Sequence, residues 1–212
     1  MTDKELKELV VQTAADLYRD GFLTVRGGNI SVRSSENPET AWITPSQVYK
    51  GAMRPEQLVL VDMDGNILSG NFKPSMETLY HTGIMRVRPE VNAVFHTHSP
   101  MCSVFSTLNL ELTPVTVEAV AVTLFARVSF FMPGSLQLAD AVVQEFRGNQ
   151  QKGAFLQNHG LITVGQTILD ALELTMSAEH VLKIFFQILA CGEKPELIDP
   201  ESVDKIIHFG GV

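Results

Sequence analysis

Cysteine is scarce in this chain of 212 residues: only Cys102 and Cys191 are present. Two isolated thiols cannot build a disulfide framework, and the pair lacks the close spacing typical of structural zinc sites. Both stand among apolar residues, so we expect two reduced, buried thiols in a protein of a reducing compartment.

Positive charge is also in short supply, with 16 Lys and Arg against 24 Asp and Glu and a formal net charge of -8. Proteins that bind nucleic acid or anionic membrane surfaces present a positive surface, so this balance predicts neither kind of partner. It leaves an open question, because an anionic ligand has to be held without an obvious basic patch.

Long hydrophobic runs that target or anchor a protein are missing as well. The first residues lack the basic segment and apolar core of a signal peptide. The most apolar late stretch, residues 181–191, is short and carries Lys183 and Gln187, which predicts that it does not span a bilayer. We therefore expect a soluble, cytoplasmic protein whose partner is a small molecule.

The apolar content, 45% of the residues, is sufficient for one core and predicts a single domain over residues 1–212. Apolar periodicity and turn residues predict helices over residues 2–21, 75–88, 135–146, 167–191 and a short stretch from 200. They predict strands over residues 29–33, 41–44, 58–61, 66–68, 91–98, 112–117, 128–131, 153–157 and 161–164. The strands are spaced too irregularly for strict alternation with helices, which favours an α/β fold whose mixed or antiparallel sheet carries helices on its faces.

Three histidines stand at the ends of apolar strands. His96 and His98 are two residues apart on one predicted strand, so their side chains project from the same face. His159 ends another apolar strand, and Gly160 follows it where the backbone must turn sharply. Three imidazoles from two strand ends suit a divalent ion, zinc first, with open coordination positions as in a catalytic site. The alternative is that they are ordinary histidines at a polar edge.

Glu77 is the candidate acid or base, because it lies at the start of the predicted helix 75–88. Its carboxylate either moves a proton beside the metal or merely interacts favourably with the helix dipole. His81 lies four residues later on the same helical face, as a partner of Glu77 or as part of a surface pair, and we do not expect it to bind metal.

A third group of residues is small and polar, and it can supply backbone and side-chain donors to an anion. Its members occur in three fragments, residues 26–31, 44–46 and 74–75. Each fragment is also typical of an ordinary turn, so the fragments indicate an anion site only if they converge.

Taken in their order along the chain, five motifs resemble the class II aldolase/adducin family. They lie around Gly27 and Gly28, Thr44 and Ser46, Ser75 and Glu77, His96 and His98, and His159. Within the family they are most similar to short bacterial metal-dependent lyases of the L-fuculose-phosphate aldolase type. The resemblance runs over nearly the whole chain. It implies a mixed, largely antiparallel sheet flanked by helices, and a homotetramer with active sites between subunits.

The resemblance also implies roles for individual residues. By this resemblance, one divalent ion would be held by His96, His98 and His159. The simplest choice of ion is Zn²⁺, and Mn²⁺, Fe²⁺ or Co²⁺ are the alternatives. Glu77 would be the catalytic acid or base. The residues that the resemblance implies as ligands of a phosphate or other oxyanion are Gly28, Asn29, Ser46 and Ser75.

The expected activity is aldol cleavage of a small hydroxy-carbonyl compound, for instance a sugar phosphate, through a metal-stabilised enediolate. One alternative is a decarboxylase of a 3-oxo sugar acid phosphate that uses the same site. Another is a non-catalytic, adducin-like interaction module, which the three histidines disfavour because adducin-like members lack them. The family's epimerases carry Asp where Glu77 stands, so epimerisation is disfavoured too.

The sequence departs from the family pattern at three points. Gln47 stands where the aldolases usually carry glycine, and Met76 stands where they often carry a second serine. The aldolases also use a tyrosine from a neighbouring subunit, whereas the last tyrosine here is Tyr80. Glu118 and Arg127 are the candidates to occupy that region.

Overall fold

An eight-stranded sheet organises the chain in the structure, a computed structural model that describes residues 1–148 and 150–209. Residues 149 and 210–212 of the predicted domain lie outside the described part. The strands are β1 (Asn29–Arg33), β2 (Thr40–Ile43), β3 (Val59–Asp62), β4 (Ile67–Ser69), β5 (Ala93–Thr97), β6 (Ala126–Val128), β7 (Gly153–Leu156) and β8 (Gly160–Gly165). Their spatial order is β4-β3-β2-β1-β5-β8-β7-β6. The pairing is antiparallel apart from β6 with β7, which confirms the mixed, largely antiparallel sheet.

Helices cover both faces of this sheet. They are α1 (Asp3–Arg19), α2 (Thr78–Val87), α3 (Pro100–Thr107), α4 (Val117–Thr123), α5 (Leu136–Phe146), α6 (Ile168–Cys191) and α7 (Pro200–Phe209). Successive side chains of β5 point to opposite faces, so Val94 packs in the core under α2 and α5, whereas Ala93 and Phe95 pack in the core under α1 and the start of α6. The result is the predicted arrangement of a sheet between helical layers.

Helix α2 begins three residues later than predicted. Ser46 N–H donates to the carbonyl of Lys73 (2.9 Å), and Pro45 forms an isolated bridge with Pro74, so this segment is held in an extended conformation. The Ser75 hydroxyl accepts the N–H of Glu77 (3.2 Å) in the turn that follows. Ser75 therefore caps a turn before the helix, and Glu77 occupies the N-cap position of α2.

The prediction of a strand over residues 112–117 is wrong. Leu112 packs into the core beside α3 and α6, and the Thr116 hydroxyl accepts the N–H of Ala119 (3.2 Å), which starts α4 instead. Neither α3 nor α4 was expected, because short helices offer little periodicity. The strand predicted at 128–131 lies earlier, at β6, where its residues pair with β7.

The two cysteines differ in environment. Both are free thiols, and Cys102 is buried as expected. The expectation of burial is wrong for Cys191, because the last residues of α6 lie on the surface, where the helix ends at a left-handed Gly192.

In the described part of the chain, α6 is the helix long and apolar enough to cross a membrane by length and composition. It packs against β5, β8, α3 and α4, and its buried face includes Val181 and Leu182. The buried carboxylate of Glu179 accepts the N–H groups of Met101 (2.9 Å) and Cys102 (3.2 Å) at the start of α3. These contacts are those of a core helix.

Candidate active site

The three predicted metal ligands converge at one end of the sheet. His96 is in β5, His98 follows that strand, and His159 lies in the turn between β7 and β8. Because β5 and β8 are antiparallel neighbours, the end of β5 meets the start of β8. One ligand atom from each histidine lies within 4.8 Å of the other two.

Backbone contacts fix the ring of His96. Its Nδ1 lies 3.1 Å from the carbonyl oxygen of Leu161 and donates to it, since a carbonyl can only accept. The lone pair of a neutral imidazole is then at Nε2, which lies 2.9 Å from Nε2 of His98. The β5–β8 ladder therefore sets the ring orientation that a metal ligand needs.

The arrangement fits a divalent ion. Two imidazole nitrogens bound to one ion at about 2.1 Å lie about 3.0 Å apart at a right angle and about 3.4 Å apart at the tetrahedral angle typical of zinc. The 2.9 Å between the His96 and His98 nitrogens is at the short end of this range. Burial, and the neighbouring histidines, hold the pKa values of His96 and His98 below the usual range. Both rings are therefore neutral near pH 7, the form that binds metal.

The Glu77 carboxylate faces this cluster. Its Oε2 lies 3.5 Å from Nε2 of His96, and its Oε1 lies 3.5 Å from Nε2 of His159. The side chain is only 6% exposed, and Oε1 is a buried atom without a hydrogen-bond partner. Because the carboxylate makes no N-cap hydrogen bond to α2, a simple helix-capping role does not account for its position.

Two glycines let the backbone approach the cluster. A Cβ on Gly160 would lie 2.3 Å from the carbonyl oxygen of Thr97 and 3.0 Å from the ring of His98. Gly28 has φ +79°, and a Cβ there would lie 2.3 Å from Leu23. Larger residues at either position would displace the loops that carry the histidines and the predicted anion site.

Asn29 connects Glu77 to His81, which the sequence offered as a partner of Glu77 or as part of a surface pair, and through it to Ser31. Its Nδ2 donates to Oε2 of Glu77 (2.7 Å), and its Oδ1 accepts from Nε2 of His81 (2.5 Å). The Ser31 hydroxyl donates to Nδ1 of His81 (2.8 Å). His81 is completely buried, so a surface pair is excluded. The four-residue spacing from Glu77 was the signal for His81, and nothing marked Ser31 as its partner.

The polar fragments converge as well. Ile30 N–H donates to the Thr44 hydroxyl (3.1 Å), and the Ser46 amide bonds to Lys73 as described. These contacts bring residues 28–31, 44–46 and 73–75 to the same end of the sheet as the histidines. Asn29 and Ser75 are buried, whereas Ser46 is half-buried. The hydroxyls of Ser46 and Ser75 are hydrogen-bond donors available to a small anion.

A buried lysine supports this loop. The Lys50 ammonium is only 1% exposed and donates to the carbonyl of Pro45 (2.8 Å). Its backbone N–H donates to the carbonyl of Val25 (3.0 Å), in the loop before Gly28. Burial lowers the pKa of Lys50 to about 8. The ammonium therefore contacts the residue next to Ser46 of the predicted anion site, a placement that the net charge of the chain did not reveal.

The departures from the family pattern have distinct environments. Gln47 has φ +58°, the left-handed region that favours glycine. Met76 is 56% exposed and contacts the loop at Gly134. The Arg127 guanidinium donates to carbonyls of residues 105–110, and Glu118 lines a cleft toward the opposite end of β5. Neither of the last two occupies the histidine cluster.

The sequence and the fold are both similar to those of known lyases. Residues 8–186 match the family described as Class II Aldolase and Adducin N-terminal domain. A 3-oxo-tetronate 4-phosphate decarboxylase of Haemophilus influenzae is 33% identical over 216 residues, which cover 99% of this chain and 100% of that protein. An L-fuculose phosphate aldolase of Methanococcus maripaludis is 35% identical over 169 residues, covering 79% and 89%. A solved L-fuculose 1-phosphate aldolase has the same fold, with a TM-score of 0.88 at 23% identity over 98% of this chain and 97% of that one.

Proposed function

Because the chain belongs to the class II aldolase and adducin family, we propose that it cleaves a carbon–carbon bond of a small phosphorylated hydroxy-carbonyl compound. The observation that carries this proposal is the convergence of three imidazoles on the carboxylate of Glu77. A non-catalytic module has no need of such a cluster, in which His96 is buried and the other two histidines are half-buried.

The proposed metal ligands are His96, His98 and His159, and the proposed ion is zinc. When bound, a divalent ion acts as a Lewis acid that polarises the oxygens of a hydroxy-carbonyl substrate. The proposed oxyanion subsite consists of Gly28, Asn29, Ser46 and Ser75. We further propose a single domain over residues 1–212 that acts in the cytoplasm as a homotetramer, as the family resemblance implies.

Glu77 is the proposed acid and base. When the carbon–carbon bond breaks, its electron pair stays on the carbon next to the carbonyl, and that carbon must then take up a proton. Oε2 of Glu77 is held by Asn29, so Oε1, which has no hydrogen-bond partner, is the oxygen that carries the proton. The low exposure of the carboxylate keeps bulk water away from this transfer.

Decarboxylation of a 3-oxo sugar acid phosphate is the second candidate. Aldol cleavage also needs a group that takes the proton from the hydroxyl that becomes the aldehyde, whereas loss of CO₂ does not. Within one subunit, Arg127 and Glu118 lie away from the cluster, so neither of them serves as that group for the histidines of its own chain. The Haemophilus influenzae relative, which aligns over 99% of this chain, is itself a decarboxylase.

A panel of candidate substrates, assayed with the wild-type protein and with Glu77→Gln, tests both candidate functions. Sugar phosphates and 3-oxo sugar acid phosphates are incubated with the metal-loaded protein, and aldehyde and CO₂ are measured. Aldehyde release supports the aldolase, and CO₂ without aldehyde supports the decarboxylase. Glu77→Gln is expected to lower kcat at least ~10²-fold, and Glu8→Gln, an exposed change on α1, to have no such effect. Normal turnover by Glu77→Gln contradicts the assignment of the acid and base.

A further inference from the structure

Four buried side chains form one continuous line of hydrogen bonds that ends at Glu77. The line runs from Ser31 through His81 and Asn29 to the carboxylate, with separations of 2.8, 2.5 and 2.7 Å. We propose that His81 is a positioning residue that locks the amide of Asn29, so that Asn29 always presents its NH₂ group to Glu77. This inference rests on the proposed role of Glu77 in the reaction.

The contacts of His81 determine its tautomer. The oxygen of the Asn29 amide can only accept, so Nε2 of His81 carries the proton in their contact. Nδ1 of the neutral ring is then an acceptor, and the Ser31 hydroxyl donates to it. Burial lowers the pKa of His81 to about 3, which keeps the ring neutral. Its two nitrogens therefore have fixed and opposite roles.

The fixed ring in turn selects one orientation of the Asn29 amide. If the amide were flipped, its oxygen would face the Glu77 carboxylate and its NH₂ would face the Nε2–H of His81. Both contacts would be repulsive, and each would leave a buried polar group unsatisfied. His81 thus keeps Oε2 of Glu77 bonded and leaves Oε1 as the oxygen directed at substrate.

The same contacts revise the predicted role of Asn29. The resemblance implies an oxyanion ligand, yet its amide oxygen and one amide proton are already committed to His81 and Glu77. Asn29 lies in β1, where it is paired with His96, so it is next to the histidine cluster. Its main contribution in our proposal is therefore to orient the base.

The test compares His81→Gln with His81→Leu. A glutamine amide can donate to Asn29 and accept from Ser31, whereas leucine fills the volume without hydrogen bonds. His81→Leu is expected to lower kcat roughly 10- to 100-fold with little change in KM or bound metal, and His81→Gln is expected to recover most of that loss. Thr82→Val, which removes another buried hydroxyl from α2, is the matched control and should keep its kcat.

Three outcomes overturn the proposal: wild-type kcat in His81→Leu, an equal loss in Thr82→Val, or no recovery in His81→Gln. A measurement independent of turnover accompanies them, which is ¹⁵N NMR of the His81 ring in the wild-type protein near pH 7. The Nε2–H tautomer supports the proposal, and an Nδ1–H tautomer or an imidazolium overturns it. Absence of any lyase activity contradicts the proposed function, while the NMR result still decides the hydrogen-bond arrangement of His81.

Discussion

Nε2 of His96 and Nε2 of His98 face one another at 2.9 Å, inside a site where both rings are neutral. The proton of His96 is at Nδ1, bound to a backbone carbonyl, so its lone pair is directed at the other ring. A proton on Nε2 of His98 would bond to this lone pair, whereas a bound ion would take a lone pair from each ring.

Removing one imidazole is therefore expected to remove the metal and the activity together. A site with three protein ligands has no spare donor, so His98→Ala should lose stoichiometric metal after dialysis and all turnover. Elemental analysis of the purified variant measures this directly. The exposed His180→Ala is the control and should retain both. Full metal content in His98→Ala would show that the ligand set is different.

The buried histidines make the metal-free protein sensitive to acid. His81 has a pKa of about 3 in the folded state and a usual value of 6.5, so between these values the unfolded state binds more protons. Stability is therefore expected to fall as the pH drops below about 6.5, and His81→Gln should weaken this dependence. Thermal unfolding in chelator between about pH 7.5 and pH 5 checks it, and parallel curves for the two proteins would contradict it.

Gln47→Gly is expected to stabilise the fold. A left-handed conformation costs a side-chain-bearing residue about 1–2 kcal/mol, partly offset by the larger unfolded-state entropy of glycine. The net gain in the free energy of unfolding should be about 0.5–1 kcal/mol, measured by urea denaturation. Asn158→Gly is a useful comparison, because Asn158 also has a positive φ, of 56°, but asparagine tolerates it. An equal gain in both variants would argue against strain at Gln47.

Lys50→Met separates the charge of the buried lysine from its packing. In the folded state the pKa of Lys50 is lowered to about 8 from 10.5, so the buried charge costs stability below pH 8. Between these two values the folded state binds fewer protons, and wild-type stability should rise with pH relative to Lys50→Met. Urea denaturation at about pH 7.5 and pH 9.5 measures the difference. An unchanged difference between the two proteins would mean that Lys50 is solvated and keeps its usual pKa in the folded state.

The sequence was most informative where periodicity and chemistry coincide. The strand ends near His96 and His159 were predicted because an apolar run stops at polar residues in each case. The long helix α6 was predicted because its apolar pattern continues up to Gly192. The local sequence left open whether Glu77 approaches the histidines or only interacts with the helix dipole, since its position depends on the pairing of distant segments; the family resemblance favoured the first alternative. For the same reason the burial of Lys50 was invisible, because it arises from contacts with the loop before Gly28.

The pairing of β5 with β8 also has a thermodynamic consequence. The groups that converge on the cluster are Glu77, His96 and His159, which are far apart in the chain and meet only when the sheet has formed. The unfolded chain does not hold these side chains close together. An ion bound by the folded state therefore adds its binding free energy to the stability of the fold. The melting temperature of any preparation should therefore report its metal occupancy, and samples exposed to chelator will behave as a less stable protein of identical sequence.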